Sequence, residues 1–161
     1  MKIKSEYYLQ SYRVLMLDDL SEYKEVIDEL NEYLKSNPNS NGFNNLGLAH
    51  FEIGEKTKAL VNFSLAIKID KLNTSAYLNR AELNTKLDNI KDAESDYDMA
   101  IKSDSSKLNS LICRAHFHKH NNNYEKALID FRNAQKIKPD FKPVSQQIIE
   151  IEQILGINPK I

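Results

Sequence analysis

Four side chains able to bind a metal ion or carry a proton crowd one stretch of this chain: Cys113, His116, His118 and His120. Thiolate and neutral imidazole are good ligands for zinc and related ions. On a helix, Cys113, His116 and His120 stand at i, i+3 and i+7 and share one face, where Glu82 from a neighbouring helix could add an oxygen. The spacing works against a single ion, because seven residues advance about 10 Å along a helix axis. His116 and His120 alone make a weak i, i+4 chelate, and His118 points to another side and packs between helices. A Cys113–His116 nucleophile pair has neither a third orienting group nor an evident oxyanion hole. The 4 glycines are isolated, so no phosphate-cradling loop is present. We therefore expect no enzyme activity, no cofactor and no metal centre; the histidines could instead make ligand binding sensitive to pH.

Two arginines, Arg80 and Arg114, each precede an alanine in the same local setting. They could contact an anion. Alternatively, each stem packs between helices while its head pairs with a carboxylate such as Asp96 or Asp130. We take the second reading.

These residues sit in a frame that recurs every 34 positions. Gly47, Ala81 and Ala115 are in register, as are Ala59, Ala93 and Ala127, and Ala66, Ala100 and Ala134. Phe63, Tyr97 and Phe131 share that register, and Phe43, Tyr77 and Leu111 hold a further large apolar position. A period of this length marks units that bury their apolar faces only by stacking on neighbours. Within each unit the apolar residues fall in two runs at helical spacing. A turn parts them at Gly54-Glu55-Lys56, near Asp88-Asn89, and at Asn121-Asn122-Asn123, and Pro139 stops the last run. Two helices approach closely only where one lacks bulk. Gly47, Ala81 and Ala115 supply that hollow, and Phe63, Tyr97 and Phe131 are the fillers.

The order of large apolar, small, Ala, aromatic and Ala, with Pro at the end, resembles the tetratricopeptide repeat (TPR) family over about Ser40 to Phe141. Lys71 and Ser105 replace the terminal proline in the first two units. His50, Asn84 and His118 stand where that family often has Tyr. The resemblance implies an all-α fold, a right-handed TPR-type solenoid of antiparallel helix pairs. We expect a single domain over residues 1–161, with repeats at 40–73, 74–107 and 108–141. Residues 1–39 form a divergent N-terminal helix pair, with Tyr8, Tyr12, Leu15 and Met16 on its first helix and Tyr23, Val26, Ile27, Leu30, Tyr33 and Leu34 on its second. Residues 142–156 form a capping helix with Val144, Ile148, Ile151 and Leu155 on one stripe, ended by Gly156 and Pro159.

By the same resemblance, the first helix of each pair lines a groove. Its residues would be Asn41, Asn44, Asn45, Leu48, Phe51 and Glu52; then Leu78, Asn79, Glu82, Thr85 and Lys86; then Asn109, Ile112, Cys113, His116, Lys119 and His120. Asn both donates and accepts, so a row of them can pair with the main chain of an extended peptide, Asn79 foremost. Leu48, Phe51, Leu78 and Ile112 add apolar contacts. Similar domains that clamp acidic chaperone tails place Lys, Asn, Asn, Lys and Arg at positions here held by Asn44, Leu48, Asn79, Asn109 and Cys113. Only Asn79 agrees, and the cations that would grip a carboxylate are missing.

Composition narrows the rest. The chain has 161 residues, a formal net charge of -1 and one cysteine. The balanced charge gives no basic stripe for nucleic acid, and no run of about twenty apolar residues could span a membrane. A lone Cys113 fits a reducing, cytoplasmic setting. The functional expectation is a non-catalytic protein-interaction scaffold whose groove takes a peptide or partner helix. The alternatives are a secretion-type chaperone for an exported protein and a metal-binding protein using Cys113 and its neighbouring histidines. Tyr7, Tyr8 and Tyr12 offer a route to self-association.

Overall fold

The structure, a computed structural model, describes residues 19–157. The expected first helix of the N-terminal pair, with Tyr7, Tyr8 and Tyr12, lies outside the described residues, as does Pro159.

Among the described residues there are eight helices and no strand. They are α1 (Leu20–Ser36), α2 (Ser40–Glu52), α3 (Lys56–Ile69), α4 (Thr74–Lys86), α5 (Ile90–Ser103), α6 (Leu108–His120), α7 (Tyr124–Ile137) and α8 (Lys142–Ile154). The first-helix starts, Ser40, Thr74 and Leu108, repeat every 34 residues, as do the second-helix starts, Lys56, Ile90 and Tyr124.

The turns obey the same register. Gly54 (φ 81°), Asp88 (φ 61°) and Asn122 (φ 57°) are left-handed. Glu55, Asn89 and Asn123 then donate their N–H groups back to the carbonyls of His50, Asn84 and His118 at 2.8, 2.9 and 2.8 Å. Left-handed backbone is cheap for Gly and tolerable for Asp and Asn, so three different residues make the same helix stop. The starts are less uniform. Asn39 and Asn73 cap α2 and α4 by accepting from the Gly42 and Ala76 N–H groups. Lys107 stands in their place before α6 with φ 60° and no side-chain cap. There Asp104 takes the Ser106 N–H and the Ser110 hydroxyl instead.

The chain divides into two compact units with the boundary between Asp96 and Tyr97, inside α5. The core of the first unit gathers Val26, Leu30, Leu46, Ala59, Phe63 and Leu83. A Cβ placed on Gly47 would lie 2.6 Å from the Phe63 ring, so the hollow and its filler are as the sequence implied. The core of the second unit gathers Leu111, Ala115, Ala127, Phe131, Ala134, Val144, Ile148 and Ile151. Helix α8 buries Val144, Ile148 and Ile151 there, the stripe expected of a cap. It also starts 34 residues after α6 and so keeps the register of a first helix. At the position held by Gly47, Ala81 and Ala115 it carries Ile149, which is 52% exposed.

Candidate functional site

In the first unit, the last two turns of α2 and of α4 enclose a cavity of about 180 Å³ lined by Leu48, Phe51, Glu52, Asn79, Glu82 and Lys86. Helical spacing puts these together. Leu48, Phe51 and Glu52 stand at i, i+3 and i+4 on α2, and Asn79, Glu82 and Lys86 at i, i+3 and i+7 on α4. Leu48 and Phe51 supply the apolar part. Lys86 Nζ lies 2.9 Å from Glu82 Oε1 and 4.5 Å from the centre of the Phe51 ring. Glu52 has no ion-pair partner among the described residues.

The expected asparagine row is only partly available. Asn44 is 1% exposed and Asn45 is fully buried, so neither presents its side chain to a ligand in this structure. This corrects the expectation that both line a groove. The reason is local: Asn44 Oδ1 accepts from Asn79 Nδ2 at 2.8 Å, and Asn44 Nδ2 reaches toward Asn45 Oδ1 at 3.4 Å. A buried amide must be satisfied by protein, and here it is satisfied across the α2–α4 contact. Asn79 thus holds Asn44 while lining the cavity. Asn41 is exposed, and Leu78 and Thr85 are half-buried and outside the cavity's lining.

In the second unit, α6 presents Asn109, His116 and His120 as exposed residues, with Cys113 and Lys119 half-buried. Ile112 packs on the unit's apolar core. One edge of the His116 ring meets the Phe131 ring, with centroids 5.1 Å apart. That partial desolvation, with the charge of Lys119, holds the His116 imidazole below its ordinary pKa. His118 is buried beside Phe117 and lies 4.0 Å from Asp130, the packing role expected of it. Among the described residues no three His, Cys, Asp or Glu side chains come together as a metal-ligand group. Lys119 is drawn to α8 instead, reaching Gln147 at 2.9 Å and Glu150 at 2.7 Å.

Both arginines pair with carboxylates. Arg80 donates through Nε and Nη2 to the two oxygens of Asp96 at 2.8 and 2.7 Å, and through Nη1 to Ser64 Oγ at 2.9 Å. Arg114 does the same with Asp130 at 2.8 and 2.7 Å and adds Asp98. These hydrogen bonds hold both guanidinium groups more firmly protonated than usual. In the first repeat, Leu46 and Asn62 occupy the two equivalent positions, and Asn62 turns back to the Lys58 carbonyl at 2.8 Å.

Helix pairs of one length, joined by one kind of turn and tied by a recurring Arg–Asp fork, define an all-α helical-hairpin repeat protein. The Tetratricopeptide repeat family model matches residues 110–141. Human Sperm-associated antigen 1 is 28% identical over 102 residues, 63% of this chain and 11% of that protein. The chain spans about a tenth of the length of the curated relatives it matches. Among solved structures, MamA superposes with a TM-score of 0.74 at 20% identity, over 85% of this chain and 81% of the other. The first TPR of Spaghetti (RPAP3) bound to HSP90 peptide SRMEEVD superposes with a TM-score of 0.64 at 20% identity, over 73% of this chain and 93% of that one. Residues 110–141 therefore match the tetratricopeptide repeat family, and the chain shares the fold of TPR solenoids.

Proposed function

We propose that this chain is a non-catalytic interaction scaffold and that an extended peptide of its partner binds along the first-helix faces, using the cavity between α2 and α4. The carrying observation is that cavity, in which Leu48 and Phe51 lie beside the polar groups of Glu52, Asn79, Glu82 and Lys86. At about 180 Å³ it is smaller than the roughly 300–1,000 Å³ typical of small-molecule sites. It suits one side chain of a larger partner. A structurally similar TPR domain was solved with a bound HSP90 peptide, which supports peptide binding as the mode. In the second unit, the exposed Asn109, His116 and His120 on α6 offer a further contact face, with Ile112 beside them. The secretion-chaperone alternative rests on architecture alone.

The test is a peptide array probed with the purified chain and with a Leu78→Asp, Asn79→Ala double variant whose fold is checked by circular dichroism. Peptides retained by the wild type and lost by the folded variant support the reading. The same peptides on both would move the binding face elsewhere.

A further inference from the structure

The chemistry of the cavity specifies which side chain it takes. Its lining holds two carboxylates, Glu52 and Glu82, against one ammonium, Lys86. Both helices also end here: Glu52 is the last residue of α2 and Lys86 the last of α4. The carbonyl ends of helices carry partial negative charge and favour cations. The cavity's field is therefore negative, with Glu52 lacking an ion-pair partner among the described residues.

The chain also shows how a cation would sit there. Lys86 already places its ammonium against Glu82, at 2.9 Å, and over the Phe51 ring face, at 4.5 Å from its centre. An aromatic face and a carboxylate converging on one point are the two standard means of holding an alkylammonium or guanidinium. Glu82 and Lys86 are both exposed, so Lys86 is free to swing away when a second cation arrives.

Resting on the peptide-groove reading above, we propose that this cavity receives a Lys or Arg side chain of the partner peptide. Its stem lies over Leu48 and Phe51 and its charge is met by Glu52 and Glu82. Lys86 acts as an internal competitor that the incoming cation displaces. The binding preference is the reverse of a site for acidic tails.

Three capped eight-residue peptides of Ser and Leu, differing only in a central Arg, Gln or Glu, would be titrated by fluorescence anisotropy. The wild type, Lys86→Gln, Glu52→Gln/Glu82→Gln and the groove variant Leu78→Asp would be compared. Lys86 and Glu82 form an exposed i, i+4 pair that contributes little to folding, so the Gln variants keep their fold. The Arg peptide is expected to bind about 3- to 10-fold tighter than the Gln peptide at low salt, the range of a partly solvated ion pair. Lys86→Gln should widen that ratio, and the double Gln variant should erase it. A Glu peptide binding as tightly as the Arg peptide, or a Lys86→Gln variant that weakens the Arg peptide, overturns the proposal. The neutral Gln peptide separates the two levels. If it binds the wild type and loses affinity in Leu78→Asp while the charge series shows no trend, the groove reading stands and the cation preference falls. If none of the three peptides binds, both fall.

Discussion

At the scale of single residues, the Arg–Asp forks are where a substitution costs most. Asp130 is 2% exposed and its two oxygens are occupied by Arg114. Arg114→Met removes the cation and leaves a buried carboxylate uncompensated, which costs about 3 kcal/mol, the lower end for a broken buried pair because the guanidinium keeps a solvent edge. Urea denaturation reads the change directly. Arg114→Met combined with Asp130→Leu should recover most of the loss, because no buried charge then remains. The sequence left this pairing open beside an anion contact, and the likeness to repeats that carry such an Arg at the same place favoured it. The added contacts to Ser64 and Asp98 were not legible, since they belong to neighbouring helices. His116 gives a pH signature. Its pKa in the fold lies below the ordinary value of 6.5, so between the two values the unfolded chain binds more protons than the folded one. Its contribution to stability is complete above about pH 6.5 and declines as pH falls from there to the folded value. His116→Gln should flatten the denaturation-midpoint profile in that window and leave it unchanged at pH 8. An unchanged slope would show that Phe131 and Lys119 do not control the imidazole.

At the scale of elements, helix pairing depends on the small-residue positions. A methyl group at Gly47 meets Phe63 at 2.6 Å, and Phe63 is fully buried with no open side to move toward. Gly47→Ala therefore overpacks the α2–α3 contact. The expected loss is about 1–3 kcal/mol, of which the better helix propensity of Ala returns up to about 1. Ala93→Leu, at a fully buried position of α5, should cost a similar 1–3 kcal/mol without compensation. Thermal unfolding followed at 222 nm measures both, and a neutral Gly47→Ala would mean that the pair can separate by a few tenths of an ångström without penalty. The lattice of small and aromatic residues was readable from spacing alone, because helical burial repeats every three or four positions. The turns were readable at Gly54, where the residue type announces the left-handed backbone. The left-handed Lys107 was not, since nothing in a lysine signals that conformation and the compensating Asp104–Ser110 bond had to be seen.

At the scale of the whole molecule, the second unit is closed by α8, whose Val144, Ile148 and Ile151 share a core with Leu111, Ala115 and Phe131. Truncation after Asp140 removes three buried apolar side chains, together worth at most about 5–9 kcal/mol at 1.5–3 kcal/mol each. The truncated chain should lose amide protection in α6 and α7 by hydrogen exchange; retained protection there would mean that α8 is an ornament to the fold. The sequence by itself determined the period of 34, the packing of Gly47 on Phe63 and the burial stripe of α8. Each follows from the spacing of apolar and small residues along one chain, a one-dimensional property. Only the tertiary structure decided which polar side chains face inward. Asn44 and Asn79 look alike in sequence, yet one is buried and the other lines a cavity, because the hydrogen bond between them joins two helices. The same holds for Lys86, whose seat on Phe51 of α2 is made across helices. The destination of a polar group is set by the partner it meets in space, and linear spacing carries no record of that partner.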